Sequence, residues 1–174
     1  SQANRAPNQG AAFHLANSNR RQKSYQMKVS ATRADAFVAS PPESIRGLLI
    51  YGPDLGLVRE RAEIATKAVA GDLGDPFNVV EFTPGALRDE PSRLTDEACA
   101  LSMAGGRRVV RLREATDSVT TAAMQALDSE GGALIIIEAG DLPPRSKIRS
   151  LFEKANDAAA IPCYADEGTS LEGL

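Results

Sequence analysis

The sequence has no tryptophan, one histidine, two cysteines and an aromatic content of only 5%. Each shortage removes a class of chemistry. The one histidine, His14, lies in a polar N-terminal stretch. Histidine-ligated metal sites and histidine-activated nucleophiles therefore have no material to work with. Cys99 and Cys163 are 64 positions apart and share no metal-ligand spacing, so they read as two reduced residues of a cytoplasmic protein. No run approaches the roughly 18 apolar residues that a membrane span needs, and no basic-then-apolar leader opens the chain. The expectation is one ordinary domain of the cytoplasm, with no metal, no cofactor and no membrane contact.

What is present begins with an asymmetry of charge. Residues 1–26 carry Arg5, Arg20, Arg21 and Lys23 and no acid, which leaves 16 basic and 23 acidic residues for the rest. This Asn-, Gln-, Ser- and Ala-rich segment has no apolar periodicity and reads as a disordered extension or tag remnant ahead of Met27. A basic arm or transit-type peptide is the alternative. The acidic remainder does not suit a duplex-DNA binder, which needs a basic surface. Nucleic-acid binding through the arm and a basic helix is the weakest of the functional readings.

From residue 32 onward, strands and helices alternate. A helix is predicted over 33–39 with Thr32 as its cap, closed by Pro41 and Pro42. Strands are predicted over 47–52, 77–83, 107–114, 133–140 and 159–165, the last at an edge because of Pro162. Helices are predicted over 55–70 (apolar at Leu57, Val58, Ile64, Ala65, Ala68 and Val69), 92–101 (apolar at Leu94, Ala98 and Leu101), 118–128 (capped by Asp117 or Ser118) and 144–155. Five strands interleaved with helices predict a three-layer α/β fold, its mainly parallel sheet covered on both faces. Residues 27–165 form the domain, and 166–174 read as the start of a linker.

The stretch "LLIYGPDLGLVRERAEIA" (48–65) has the layout of a phosphate-cradling loop: a buried strand, a glycine turn, then a helix. A phosphate loop of the G-x4-G-K-S/T type uses amides to wrap phosphates, a lysine to neutralise them and a hydroxyl to hold magnesium. Here Gly52 and Gly56 are one residue too close, and Leu57 and Val58 stand where the lysine and hydroxyl belong. Asp54 would set a carboxylate against the phosphate. At about 4 Å and an effective dielectric of 20 that costs roughly 4 kcal/mol. The better reading is that Gly52, Pro53 and Asp54 turn the strand into the helix, with Asp54 near its N-cap. Nor does "LIIIEAGD" end in the paired acids of a magnesium-binding strand. A nucleotide-binding enzyme or switch domain with an atypical loop remains the alternative reading.

Taken in order, "LLIYGPDLGLVRERA", "DPFNVVEF", "ALSMAGGRRVVRLREA", "ALIIIEAGDLPPRSKIRSLFEKA" and "AAIPCYADE" resemble the DNA polymerase III delta subunit of the bacterial clamp loader, from about Lys28 to the C-terminus. The resemblance implies an AAA+-like, P-loop-NTPase-like domain without a functional phosphate loop, followed in the family by lid and collar domains that this chain lacks. It implies DNA replication as the setting, within a DNA-directed DNA polymerase (nucleotidyltransferase) holoenzyme, with no catalysis by this domain itself. The implied partner is the sliding clamp, which delta helps open. The other clamp-loader subunits, delta prime and gamma or tau, would be met mainly through the missing domains, and DNA only indirectly. The implied clamp contact is Leu101, Ser102, Met103 and Ala104, the last standing where the family often has a large aromatic residue. Gly105 and Gly106 would let the chain turn and leave Leu101 and Met103 exposed.

A second, basic set comprises Arg145, Lys147, Arg149 and Lys154 on one helix and Arg107, Arg108, Arg111 and Arg113 on one strand. For the helix, a solvated face with an Arg149–Glu153 pair is the preferred reading. The strand arginines are unexpected, because an interior parallel strand is ordinarily apolar on both faces. They point to a strand near an edge, or to one whose end reaches solvent.

Overall fold

In the computed structural model, residues 29–103 and 105–165 are described. Helix α1 spans Ala31–Ala39, β1 Gly47–Tyr51, α2 Leu55–Ala70, β2 Val79–Phe82, α3 Pro84–Asp89, α4 Arg93–Cys99 and β3 Val109–Ala115. A single 3-10 turn, Asp117–Val119, leads into α5 Thr120–Asp128. The chain then runs through β4 Leu134–Ala139, α6 Lys147–Lys154 and β5 Ala158–Pro162. The five strands form one sheet in the order β2-β3-β4-β1-β5, and every neighbouring pair is parallel. This is the α/β architecture expected, with β5 at an edge. The polar segment 1–26 and the linker 166–174 lie outside the described residues. Among the described residues, no helix is long and apolar enough to cross a membrane.

Alternation along each strand sorts the core into two layers. Leu48, Ile50, Leu134, Ile136, Ala159 and Ile161 face α1 and α2, meeting Ala34, Val38, Val58, Ala62 and Ala65. Leu49, Tyr51, Val110, Leu112, Ile135, Ile137 and Ala160 face the other helices, meeting Leu87, Leu94, Ala123, Ala126, Ile148 and Phe152. Thus two helices cover one face and four cover the other. The shorter cover leaves the β2–β3 side of the first face without a helix, and it is there that the charged residues of β2 and β3 emerge.

Several elements differ from the sequence expectation. The first helix starts two residues earlier, with Ser30 rather than Thr32 at its N-cap. In α2 the buried stripe is Val58, Arg61, Ala62, Ala65 and Thr66, while Ile64 and Ala68 are exposed. Arg61 takes an interior place because its guanidinium donates to the Pro162 carbonyl at 3.0 Å and meets Asp35 at 3.3 Å. Helix α4 ends at Cys99, so Leu101 does not continue its buried side. Helix α3 was not foreseen; it opens on Pro84 at its first turn, a position where a missing N–H costs nothing.

Asp117 caps a different helix from the one predicted. Its Oδ1 accepts from the Ser146 hydroxyl at 2.6 Å and from the Ile148 N–H at 3.1 Å, at the N-terminus of α6. These bonds, the Ser146 one foremost, hold its carboxyl below the usual carboxylate range. A depressed carboxyl contributes stability that is present above its unfolded-state value and is lost as the pH falls through the folded one. Asp117→Ala is expected to cost about 1 kcal/mol at neutral pH. In thermal melts from pH 7 down to pH 3, its gap to the parent should close at the acid end; a constant gap would dissociate the effect from the carboxylate.

Candidate functional site

In an open parallel sheet, ligands ordinarily bind outside the carboxyl ends of the strands, where the strand order reverses. Here that place lies beside β1 and β4, at the loop of Gly52, Pro53 and Asp54 (after β1) and Gly140 (after β4). Four of the amides at this loop and the start of α2 are already committed. The Gly52 N–H donates to the Gly140 carbonyl at 3.0 Å, and the Asp54 N–H to the Cys163 carbonyl at 3.4 Å. The Leu57 N–H donates to Asp54 Oδ1 at 3.1 Å, so Asp54 is the N-cap of α2, as the sequence suggested. The Val58 N–H closes the first turn on the Asp54 carbonyl at 3.0 Å. Val58 itself is buried in the core, and Gly56 lies within the helix. Amides that would wrap a phosphate are used to join β1, β4 and the end of β5.

Beside this loop is a cavity of about 360 Å³ lined by Leu55, Val58, Arg59, Arg113, Glu114 and Glu138, among others. Two of its lining residues, Arg113 and Glu138, belong to an ion-pair network. Arg111 donates through Nε and NH2 to Glu138 Oε2, at 3.1 and 2.8 Å, and lies 3.4 Å from Glu81. Arg113 donates to Glu81 at 2.9 Å and lies 3.8 Å from Glu138. Arg111 and Glu138 are both buried. Register explains the meeting: Glu81 of β2 stands across from Arg111 of β3, and Glu138 follows two places after Arg111's neighbour on β4, Ile136. The arginines of β3 are therefore explained by the uncovered side of the sheet and by carboxylates on both flanking strands.

One extra residue in β3 between Leu112 and Ala115 shifts its register against β4. Glu114 takes φ +58° in this bulge. Alternation puts Arg111 and Arg113 on one face, and the bulge lets Ala115 rejoin the apolar layer on the other. Burial pushes the Glu138 carboxyl above the ordinary range, and Arg111 opposes that rise without cancelling it. Among the described residues, no group of three or more His, Cys, Asp or Glu is placed to hold a metal ion.

The opposite end of the sheet carries the two most exposed of the large apolar side chains. Leu101 is 86% exposed and Met103 85%. Ala104 lies outside the described residues. Gly105 and Gly106 both take positive φ, +79° and +83°, so the chain reverses directly after the loop into β3. Ser102 points the other way. Its hydroxyl lies within bonding distance of Asn78 Oδ1 and, at 2.7 Å, of the Gly105 carbonyl. The buried Asn78 amide reaches Asp75 at 3.2 Å and the Gly105 carbonyl at 3.3 Å. Segments 75–78 and 101–106 are thus tied together at the amino ends of β2 and β3. Phe77, 55% exposed, belongs to the tied segment and was missed in the sequence. An aromatic residue inside the turn "DPFN" was the available signal.

The basic residues are largely spent on structure. Arg149 is buried, pairs with Glu153 at 2.6 Å, donates to the Leu142 carbonyl at 2.9 Å and lies over the Tyr51 ring. Burial lifts the Tyr51 hydroxyl to about 12, with Arg149 pulling against it. Arg108 pairs with Glu97 at 2.6 Å and donates to the Phe77 carbonyl at 2.8 Å. Arg145, Lys147 and Lys154 are exposed. No protein-family model matches the chain, and no curated protein matches it.

Proposed function

We propose that this chain is a clamp-binding module of the DNA polymerase III delta type, which docks on the sliding clamp during chromosome replication and performs no catalysis itself. The observation that carries the proposal is the loop at 101–103. Two large apolar side chains stand almost fully in solvent, yet the backbone beneath them is held by Ser102 and Asn78. Exposing both costs hydrophobic free energy that a docked groove would return, and a pre-held loop reduces the ordering cost of docking. The consumed amides at Gly52 and Asp54 and the capping role of Asp54 support the AAA+-like reading with an inactive phosphate loop. Under this reading the remaining loader subunits are reached through other domains, and DNA through the assembled loader.

The test is direct. The chain is expected to bind the cognate sliding clamp at micromolar strength by calorimetry. Met103→Ala removes a side chain worth roughly 1.5–3 kcal/mol when fully buried, so affinity should fall about tenfold or more. Met103 is exposed in the free chain, so the variant's melting temperature should not move. Absence of clamp binding at high micromolar concentration would overturn the proposal.

A further inference from the structure

Immediately beside Leu101 and Ser102 the amino ends of β3 and β4 frame a cavity of about 460 Å³, whose walls include Cys99, Arg107, Arg108 and Glu130. The two arginines differ. Arg108 is neutralised by Glu97. Arg107 donates only to carbonyls, that of Gly132 at 2.9 Å and that of Ile45 at 2.7 Å, and forms no ion pair among the described residues. It is half-buried; Arg46 adds a second positive charge to its surroundings and Glu43 a negative one. A guanidinium fixed in a cavity wall by two backbone carbonyls, with no carboxylate in ion-pair contact among the described residues, keeps a charge with which to receive an anion.

We infer that this cavity is the polar half of the docking site, and that Arg107 receives a carboxylate of the partner whose apolar groove takes Leu101 and Met103. The inference rests on the clamp-binding reading above. Charge and position select the occupant. The cavity shares Leu101 and Ser102 with the exposed loop, so a partner seated on the loop reaches its mouth. A protein carboxylate is favoured over a nucleic-acid phosphate because the exposed apolar side chains alongside offer nothing to a phosphate backbone. The partner surface is therefore an apolar groove with an acidic residue on its rim. Its charge would set specificity and salt dependence, while Leu101 and Met103 supply most of the contact area.

The experiment is calorimetry of the full chain against the cognate sliding clamp at 50 and 300 mM salt. Arg107→Gln is expected to weaken binding about tenfold at low salt and to flatten the salt dependence, whereas Arg107→Lys keeps most of both. Because Arg107 also braces two loops, a second measurement avoids substitution. Cys99 is exposed and lines the cavity, while Cys163 is buried. Carboxymethylation of Cys99 with iodoacetate sets a competing carboxylate at the mouth, and iodoacetamide adds a neutral group of nearly the same size. The charged adduct should bind at least fivefold more weakly than the neutral one. Equal binding by the two adducts, or unchanged affinity and salt slope in Arg107→Gln while Met103→Ala weakens binding, overturns the inference and leaves the docking reading intact. Binding of a single-stranded oligonucleotide that Arg107→Gln abolishes would overturn it in favour of a phosphate site. No clamp binding by the parent chain would remove the functional reading, and this inference with it.

Discussion

Gly52→Ala is expected to cost about 4 kcal/mol and to lower the melting temperature by about 10 °C. Two effects combine at this position. A Cβ would lie 2.0 Å from the Cys163 carbonyl oxygen, which is backbone and cannot swing aside, and φ is +148°. The same backbone of Cys163 is pinned to β1 by its N–H on the Tyr51 carbonyl at 2.7 Å. Relief of the overlap therefore means parting β1 from the end of β5. Gly56, the other glycine of the apparent phosphate loop, provides the contrast. Its nearest neighbour to an added Cβ is Asp54 Oδ1 at 3.6 Å, its φ is unexceptional, and it lies inside α2. Gly56→Ala should be neutral or stabilising by about 0.5 kcal/mol. Denaturant unfolding of the two variants would distinguish a close-packing glycine from a helical one. Equal effects would refute this account of the loop.

The second large effect is expected at the buried ion pair. Glu138→Gln keeps the shape and removes the charge, leaving Arg111 buried with only the partly exposed Glu81 at 3.4 Å. The expected loss is about 3 kcal/mol. Replacing both partners, as Arg111→Met with Glu138→Gln, should recover most of it, because the desolvated charge disappears and the Arg113–Glu81 pair at 2.9 Å stays. The pair thus fixes how β2, β3 and β4 align more than it adds to stability. A double variant as unstable as Glu138→Gln alone would contradict this.

These two sites show where sequence reading ends. The runs "GLLIY" and "LIIIEA" declare themselves as interior strands because both faces are apolar, and both are buried throughout. Asp54's capping role was legible because a cap acts within three residues. The reason for Gly52 was not, since the atom that forbids a Cβ lies 111 positions away at Cys163. Asp117 failed for the same reason: its short-range place suggested α5, and its partners are at 146 and 148. Arg111 and Arg113 looked anomalous while the strand order was unknown. Once β2 and β4 flank β3, Glu81 and Glu138 are the expected partners. At the apolar loop, Gly105 and Gly106 announced the reversal, but the brace through Asn78 required knowing that β2 and β3 are neighbours.

The strand order also has a mechanical meaning. The loop of Leu101 and Met103 enters β3 at its amino end, while the chain leaves β5 at its carboxyl end on the far side of the sheet. A pull between these two points runs diagonally, along the strands and across three inter-strand spacings. Its component along the strands loads the ladders of β3–β4, β4–β1 and β1–β5 in shear, so that each ladder's hydrogen bonds share the load. Three ladders in series therefore join the apolar loop to the end of β5, and the sheet transmits displacement between them as a strut.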